Sequence, residues 1–218
     1  MRCVLAEAER LYGAHGVPFF TLSCAYVNGK KEMRFPKSWQ RLGRDAPQMR
    51  VLNKNAVCVR TGYCADERTL SLVVVDADGD EAIATFTRLA ARAGVDLAEV
   101  PLVQTQRGPS GRHYYFRACS ALVSTMRSGA KLVIDGAPTS IDIRAGSNGE
   151  GVGCVLAPPT KVVGGGEYTL LPGPEIHEAP AMPDALAKVL GGGGSVRVRA
   201  IGRAAVSTPT TSTHWSTL

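Results

Sequence analysis

An apolar run, Leu72-Val73-Val74-Val75, leads directly into Asp76-Ala77-Asp78. On a β-strand, residues two apart share a face, so the two carboxylates would point the same way. Carboxylates this close resist joint ionisation unless a cation lies between them. Hard divalent ions suit oxygen donors, and Mg²⁺ or Mn²⁺ is favoured where phosphate completes the shell. A solvated strand end, with Asp78 opening a turn and capping the next helix, would use the same residues without a metal. An EF-hand loop is excluded, because Glu81 stands where that loop needs glycine and Thr87 where it needs glutamate.

A third acid lies in Ser-Ile-Asp-Ile-Arg-Ala, residues 140–145. Alternation sets Ile141 and Ile143 on one face of that strand, and Asp142 and Arg144 on the other. Between the acids, Gly108-Pro109-Ser110-Gly111 forms a tight turn leading into Arg112 and His113. Such a turn with a basic exit can present backbone N–H groups and cations to phosphate. Each piece also has a plain alternative: charges on the outer face of an amphipathic strand, or a satisfied core histidine. His15, His177 and His214 have no comparable setting and are expected to be structural.

These residues need elements to position them. Helical spacing over residues 2–14 and 79–94 predicts two helices. Residues 17–27, 56–60 and 70–78 read as strands, the last a continuous apolar run of the kind buried on both faces. Further strands are expected at 102–105, 112–118, 131–135, 140–145, 151–159 and 167–171, with a hairpin tip at 164–166 and a short helix at 185–190. Asn28-Gly29 reads as a turn, and the segment after it as a loop with one short helix, since it holds Pro36, Trp39 and Pro47. One strand–helix–strand unit followed by hairpins makes the chain α+β with a mostly antiparallel sheet.

The 218 residues suffice for one sizeable core or two packed sub-domains. No run of about 18 apolar residues occurs, which argues against a membrane-spanning helix. The N-terminal stretch, whose early Arg2 and two glutamates, Glu7 and Glu9, interrupt any apolar core, argues against a signal peptide. The six scattered cysteines contain no C-x-x-C pair and read as reduced core thiols. The formal charge of +6 is local: residues 30–60 carry +7 and the other 187 carry −1. A basic block on a near-neutral body suits a polyanionic partner, and a solvated face is the alternative.

The ordered succession of these pieces resembles the archaeo-eukaryotic primase superfamily, and most closely the primase–polymerase domain of viral, plasmid and mobile-element replication proteins. The resemblance spans about residues 15–171. It is carried by the strand into Asp76-Ala77-Asp78, then Gly-Pro-Ser-Gly-Arg-His-Tyr-Tyr-Phe, then Ile-Asp-Ile-Arg, then Ala-Pro-Pro-Thr before Tyr168. Lys30 to Trp39 and the Thr61-Gly62 turn add to it. The resemblance implies a DNA-dependent primase–polymerase with an RRM/ferredoxin-like catalytic sheet packed against a smaller N-terminal αβ unit. It implies two Mg²⁺ or Mn²⁺ ions on Asp76, Asp78 and Asp142. Ser110, Gly111, Arg112, His113 and Arg144 would bind the nucleoside triphosphate. The basic block, with Lys37, Arg41, Arg44 and Lys54, would hold the template and primer backbone, and Trp39 would either stack on a base or join the core.

On this basis the domain is expected to run over 1–175, divided at residue 55, with a partly disordered linker or tail over 176–218. A replicative helicase is an expected partner, a membrane is not, and the setting is expected to be intracellular, cytoplasmic or nuclear, or that of a virus-encoded protein. Two rivals remain. One is a haloacid-dehalogenase-type phosphatase using Asp76 and Asp78, suggested by the opening Val-Val-Val-Asp-Ala-Asp-Gly. The other is a nucleic-acid-binding module without catalysis.

Overall fold

A computed structural model describes residues 3–43, 46–62, 70–126, 131–134, 136–146 and 153–191. Helix α1 (Val4–Leu11) leads through a short turn into β1 (Phe19–Val27), which folds back into β2 (Lys30–Arg34). Then come β3 (Ala56–Thr61), β4 (Ser71–Asp78), α2 (Asp80–Arg92), β5 (Leu102–Gln104), β6 (Gly111–Ala118) and α3 (Ser120–Thr125). The remaining elements are β7 (Lys131–Ile134), β8 (Ala137–Arg144), β9 (Gly153–Ala157), β10 (Thr169–Leu170) and α4 (Asp184–Gly191).

The strands form two sheets, one ordered β2-β1-β3-β9 and the other β10-β5-β6-β4-β8-β7. Every pairing between these strands is antiparallel. The fold is thus α+β, as the pattern predicts. Inside the larger sheet, the order β5-β6-β4-β8, with α2 between β4 and β5 and α3 between β6 and β8, is the ferredoxin-like split β-α-β arrangement.

The apolar run in β4 is explained by cover on both faces. Val73, Val75 and Ala77 pack with Phe86, Leu89 and Ala90 of α2 and Leu186 of α4. Leu72 and Val74 face the other way, into a core shared with Phe20, Leu22, Val57 and Leu156 of the smaller sheet. Each fully buried side chain of this size contributes roughly 1.5–3 kcal/mol. Gly62 marks the passage between the sheets. Its φ of +68° and the carbonyl of Ala145, 1.7 Å from where a Cβ would sit, leave room for glycine alone.

Three expectations change. Residues 30–34 form a strand rather than a loop. Asn28 and Gly29 both have positive φ, 51° and 74°, which suits the tight hairpin turn joining β1 to β2. All five residues of β2 are exposed and three are basic, so the segment lacks the alternation that signals a strand; charge on an edge strand is what discourages further pairing. Residue 55 is not a boundary between units, because β3 and the distant β9 both complete the smaller sheet. The expected linker does not begin at 176: Ile176, Ala179, Met182, Leu186 and Leu190 are buried. The tail beyond 191, with His214, lies outside the described residues.

Candidate active site

The register of the larger sheet builds the site. Asp76 pairs across β4 with His113 on β6 and with Asp142 on β8. Directly opposed residues share a face, so Asp142, Asp76 and His113 form a row over three adjacent strands. Val74 and Tyr115, one step along, face the smaller sheet, so the row continues that face beyond the core. His113 Nε2 lies 3.3 Å from Asp76 Oδ1. Arg144 reaches both acids, 3.0 Å from Asp142 Oδ2 and 3.5 Å from Asp76 Oδ2. Arg107 Nε lies 3.1 Å from Asp78 Oδ1.

The glycine-rich turn closes the end of β4. Gly79 N–H donates to the Ser110 carbonyl at 2.7 Å, and the Ser110 hydroxyl donates to Asp80 Oδ1 at 2.8 Å. Gly111 sits opposite Asp78, with Thr105 Oγ1 only 2.0 Å from where a Cβ would be. Arg112 is not brought to the row. It pairs with Ala77, on the helix-covered face, and donates to Gln104 Oε1 at 3.0 Å. The cause is strand alternation: if His113 faces the cleft, Arg112 cannot.

The acids are not equivalent. Burial alone would raise Asp76, but the hydrogen bond from His113 and the charges of His113 and Arg144 hold its carboxyl below the ordinary value. Burial, together with the charge of Asp76, pushes Asp78 above it, against the opposing pull of Arg107. Asp142 Oδ1 is buried without a hydrogen-bond partner among the described residues. Arg144 stands between Asp142 and Asp76, and the row does not gather three donor atoms within 4.8 Å of one another. An all-carboxylate donor set with one orphaned buried oxygen and one acid under like-charge pressure fits hard divalent ions.

The sequence matches the family model of the bifunctional DNA primase/polymerase N-terminal domain, Prim-Pol, over residues 10–185. The chain belongs to this family. Comparison with curated proteins found no match, and neither did comparison with solved structures. The Prim-Pol match includes every candidate site residue, and its end at residue 185 falls within α4 rather than before it. The phosphatase alternative fails on topology. That fold places its first aspartate on a parallel sheet, whereas β4 of this Prim-Pol domain is antiparallel to both neighbours.

The basic block divides by role. Lys37 and Arg41 are exposed, and Lys54, half-buried, has its Nζ 3.5 Å from Ser23 Oγ. Arg44 lies outside the described residues. Arg60 is 1% exposed and donates to the carbonyls of Leu42 and Gln40, so it braces the block from beneath. Arg50 pairs with Glu9 at 3.0 Å and lies over the Phe19 ring. Trp39 packs on Phe20 and Phe35, with centroids 5.0 and 5.6 Å away, and belongs to the partly buried rim of the core.

The spacing of acids did not reveal Arg107 as the partner of Asp78, because a turn whose shape is unknown fixes no cross-strand neighbour. Nor did it reveal that Lys31 reaches Tyr168, beside His113. Lys31 Nζ lies 3.2 Å from the Tyr168 hydroxyl, and the Tyr168 ring lies 5.8 Å from that of His113. Residue order alone cannot show that an exposed edge strand brings a lysine to Tyr168. The cysteines Cys24 and Cys58 are buried thiols, as expected, whereas Cys3 and Cys119 are exposed. No helix among the described residues is long and apolar enough to cross a membrane.

Proposed function

We propose that this Prim-Pol chain is a DNA-dependent nucleotidyltransferase that adds nucleotides from nucleoside triphosphates to a templated primer, using Asp76, Asp78 and Asp142 as its acid set. The observation that carries the reading is the row Asp142–Asp76–His113 across three adjacent strands, with Asp78 on the same face two residues on. In the reaction the primer 3′-hydroxyl oxygen bonds to the α-phosphorus, the bond from that phosphorus to pyrophosphate breaks and pyrophosphate departs, and the hydroxyl proton passes to solvent. Asp76, Asp78 and Asp142 would hold Mg²⁺ or Mn²⁺, which when bound supplies charge neutralisation at the attacking and leaving oxygens.

The chain's own residues position and neutralise. His113 holds Asp76 Oδ1 from a site only 5% exposed, so its first duty is to fix that carboxylate rather than to reach a phosphate. Arg144, a third exposed, keeps Asp76 and Asp142 from repelling one another and has free edges to offer a phosphate. Arg107 adds a cation at Asp78, and Lys31 adds one beside Tyr168 near His113. Ser110 and Gly111 act through shape, by holding the turn against the end of β4. The exposed basic residues Lys37 and Arg41, with Arg44 and Lys54, hold backbone phosphates without reading sequence.

Primer extension tests this, run with and without primer and with ribo- and deoxynucleotides separately. Mg²⁺- or Mn²⁺-dependent incorporation that Asp76→Asn and Asp142→Asn each abolish is the expected result. Template binding with no incorporation under any of these conditions would leave the non-catalytic module as the correct description.

A further inference from the structure

Away from the acid row, His15, Glu175 and His177 meet, with one donor atom of each within 4.8 Å of the others. His15 ends the short turn after α1, while Glu175 and His177 flank Ile176 before α4. The two segments come from opposite ends of the family match. The imidazole rings stack with centroids 3.5 Å apart and planes 8° from parallel. Glu175 Oε2 lies 3.3 Å from His177 Nδ1, yet that buried nitrogen makes no hydrogen bond to any described residue. Both backbones are anchored. Ile176 is buried in the same core as Tyr12, whose hydroxyl donates to the Pro158 carbonyl at 2.6 Å, and Arg117 donates to the His177 carbonyl at 2.5 Å. Among the neighbouring charges, Arg10 pairs with Glu7 and also feels the charge of Glu175, while Glu175 and Glu178 cap the turn at 176–178 reciprocally, so an ion would share the Glu175 carboxylate with that cap.

We propose that His15, Glu175 and His177 form a second metal site, one for a borderline divalent ion with Zn²⁺ as its natural occupant. Two imidazoles and a carboxylate are a zinc-type donor set of three protein ligands, whereas Mg²⁺ takes oxygen donors and keeps its water. The site is therefore chemically separate from the acid row and does not depend on the polymerase assignment. A tetrahedral ion at about 2.0–2.2 Å from each ligand spaces the donors about 3.4 Å apart, a spacing that Glu175 Oε2 and His177 Nδ1, at 3.3 Å, already have. The lone pairs of parallel rings do not meet at one point, so binding turns the two imidazoles out of their stack. The ion then staples the turn after α1 to the segment before α4, a structural task that a loop-bound histidine pair cannot perform alone.

The test uses the untagged full chain, stripped with chelator and then titrated with Zn²⁺ by calorimetry and thermal denaturation. Co²⁺ serves as a spectroscopic probe of the coordination geometry. One equivalent should bind and raise the melting temperature. His15→Gln and His177→Gln should each weaken binding by at least about tenfold and remove the Zn²⁺-induced rise. Asp76→Asn should leave both intact. His15 is exposed, so His15→Gln should fold, and circular dichroism checks that it does. Thiols are the competing ligands, and a parallel titration on iodoacetamide-treated protein separates them. No stoichiometric binding, or binding that survives both histidine substitutions but is lost on alkylation, overturns the proposal.

Discussion

Replacing either member of the Asp76-Ala77-Asp78 pair by asparagine removes the same charge from nearly the same place, yet the stability of the metal-free protein should respond differently. Asp76 is 14% exposed and takes its two partners at 3.3 and 3.5 Å. Hydrogen bonds to charged groups are worth about 1.5–3 kcal/mol each, and these long ones sit at the low end. Asparagine keeps a weaker version of one. Asp76→Asn should therefore cost about 2 kcal/mol at neutral pH, or about 4–8 °C in Tm for a chain of this size. Asp78 is a third exposed, its carboxyl is raised by burial and by Asp76, and its partner Arg107 is mostly in water. A pair of that kind contributes about 0–1 kcal/mol, which relief of burial and repulsion offsets, so Asp78→Asn should leave Tm unchanged or higher. The sign of the pH dependence follows. Asp76 is lowered in the folded state, so its contribution is present above the unfolded value of about 3.9 and is lost as pH falls through the folded one. The gap between wild type and Asp76→Asn should be full above about pH 5 and close in more acid solution. Thermal denaturation in EDTA measures both. Equal stability of the two variants at neutral pH would refute the unequal neutralisation of the two acids.

His113→Ala should lower kcat more than it raises KM for the nucleotide, because the imidazole is spent on Asp76; the reverse split in steady-state kinetics would move it to the phosphates. Lys31→Ala, which removes the cation beside Tyr168 near His113, should chiefly raise the nucleotide KM. Lys37→Ala with Arg41→Ala should flatten the plot of log binding constant against log salt by roughly 0.7 per residue on a single strand, while leaving Tm unchanged. Arg60→Leu should do the opposite, leaving the salt slope alone and costing about 1–3 kcal/mol as the carbonyls of Gln40 and Leu42 lose a donor. Gly62→Ala should destabilise by more than about 1 kcal/mol in denaturant titrations, since a Cβ there meets a backbone carbonyl that cannot yield.

Elements with a strong period were legible before any coordinates. The face of α2 with Phe86, Leu89 and Ala90, and the doubly buried β4, follow directly from apolar spacing. The acid face was legible too, because alternation fixes Asp76 with Asp78, and Asp142 with Arg144, whatever the rest of the fold does. Cross-strand neighbours were not. That Asp76 stands opposite both His113 and Asp142 depends on register, and register is settled by packing of all three strands at once. The same logic removes Arg112, whose adjacency to His113 in sequence places it on the opposite face. The strand β2 was hidden because its residues answer to the solvent rather than to a core. The histidines at 15 and 177 were hidden because their meeting joins two segments far apart in the chain that pack on one core.

The smaller sheet is opened by β1 and closed by β9, with the whole larger sheet's central strands lying between them in the chain. Pairing of that range makes folding slow to begin and late to complete. During synthesis, β1, β2 and the exposed basic residues emerge well before β8 and β9. Until β9 arrives, β3 keeps an open edge, and until β8 arrives, Asp76 lacks its third acid. A nascent chain therefore carries the exposed cations of β2 and of the segment after it, together with Asp76 and Asp78, before it owns Asp142. β8, which carries Asp142, and β9, which closes the smaller sheet, emerge within about the same short stretch of translation, so the acid row and that sheet are completed together.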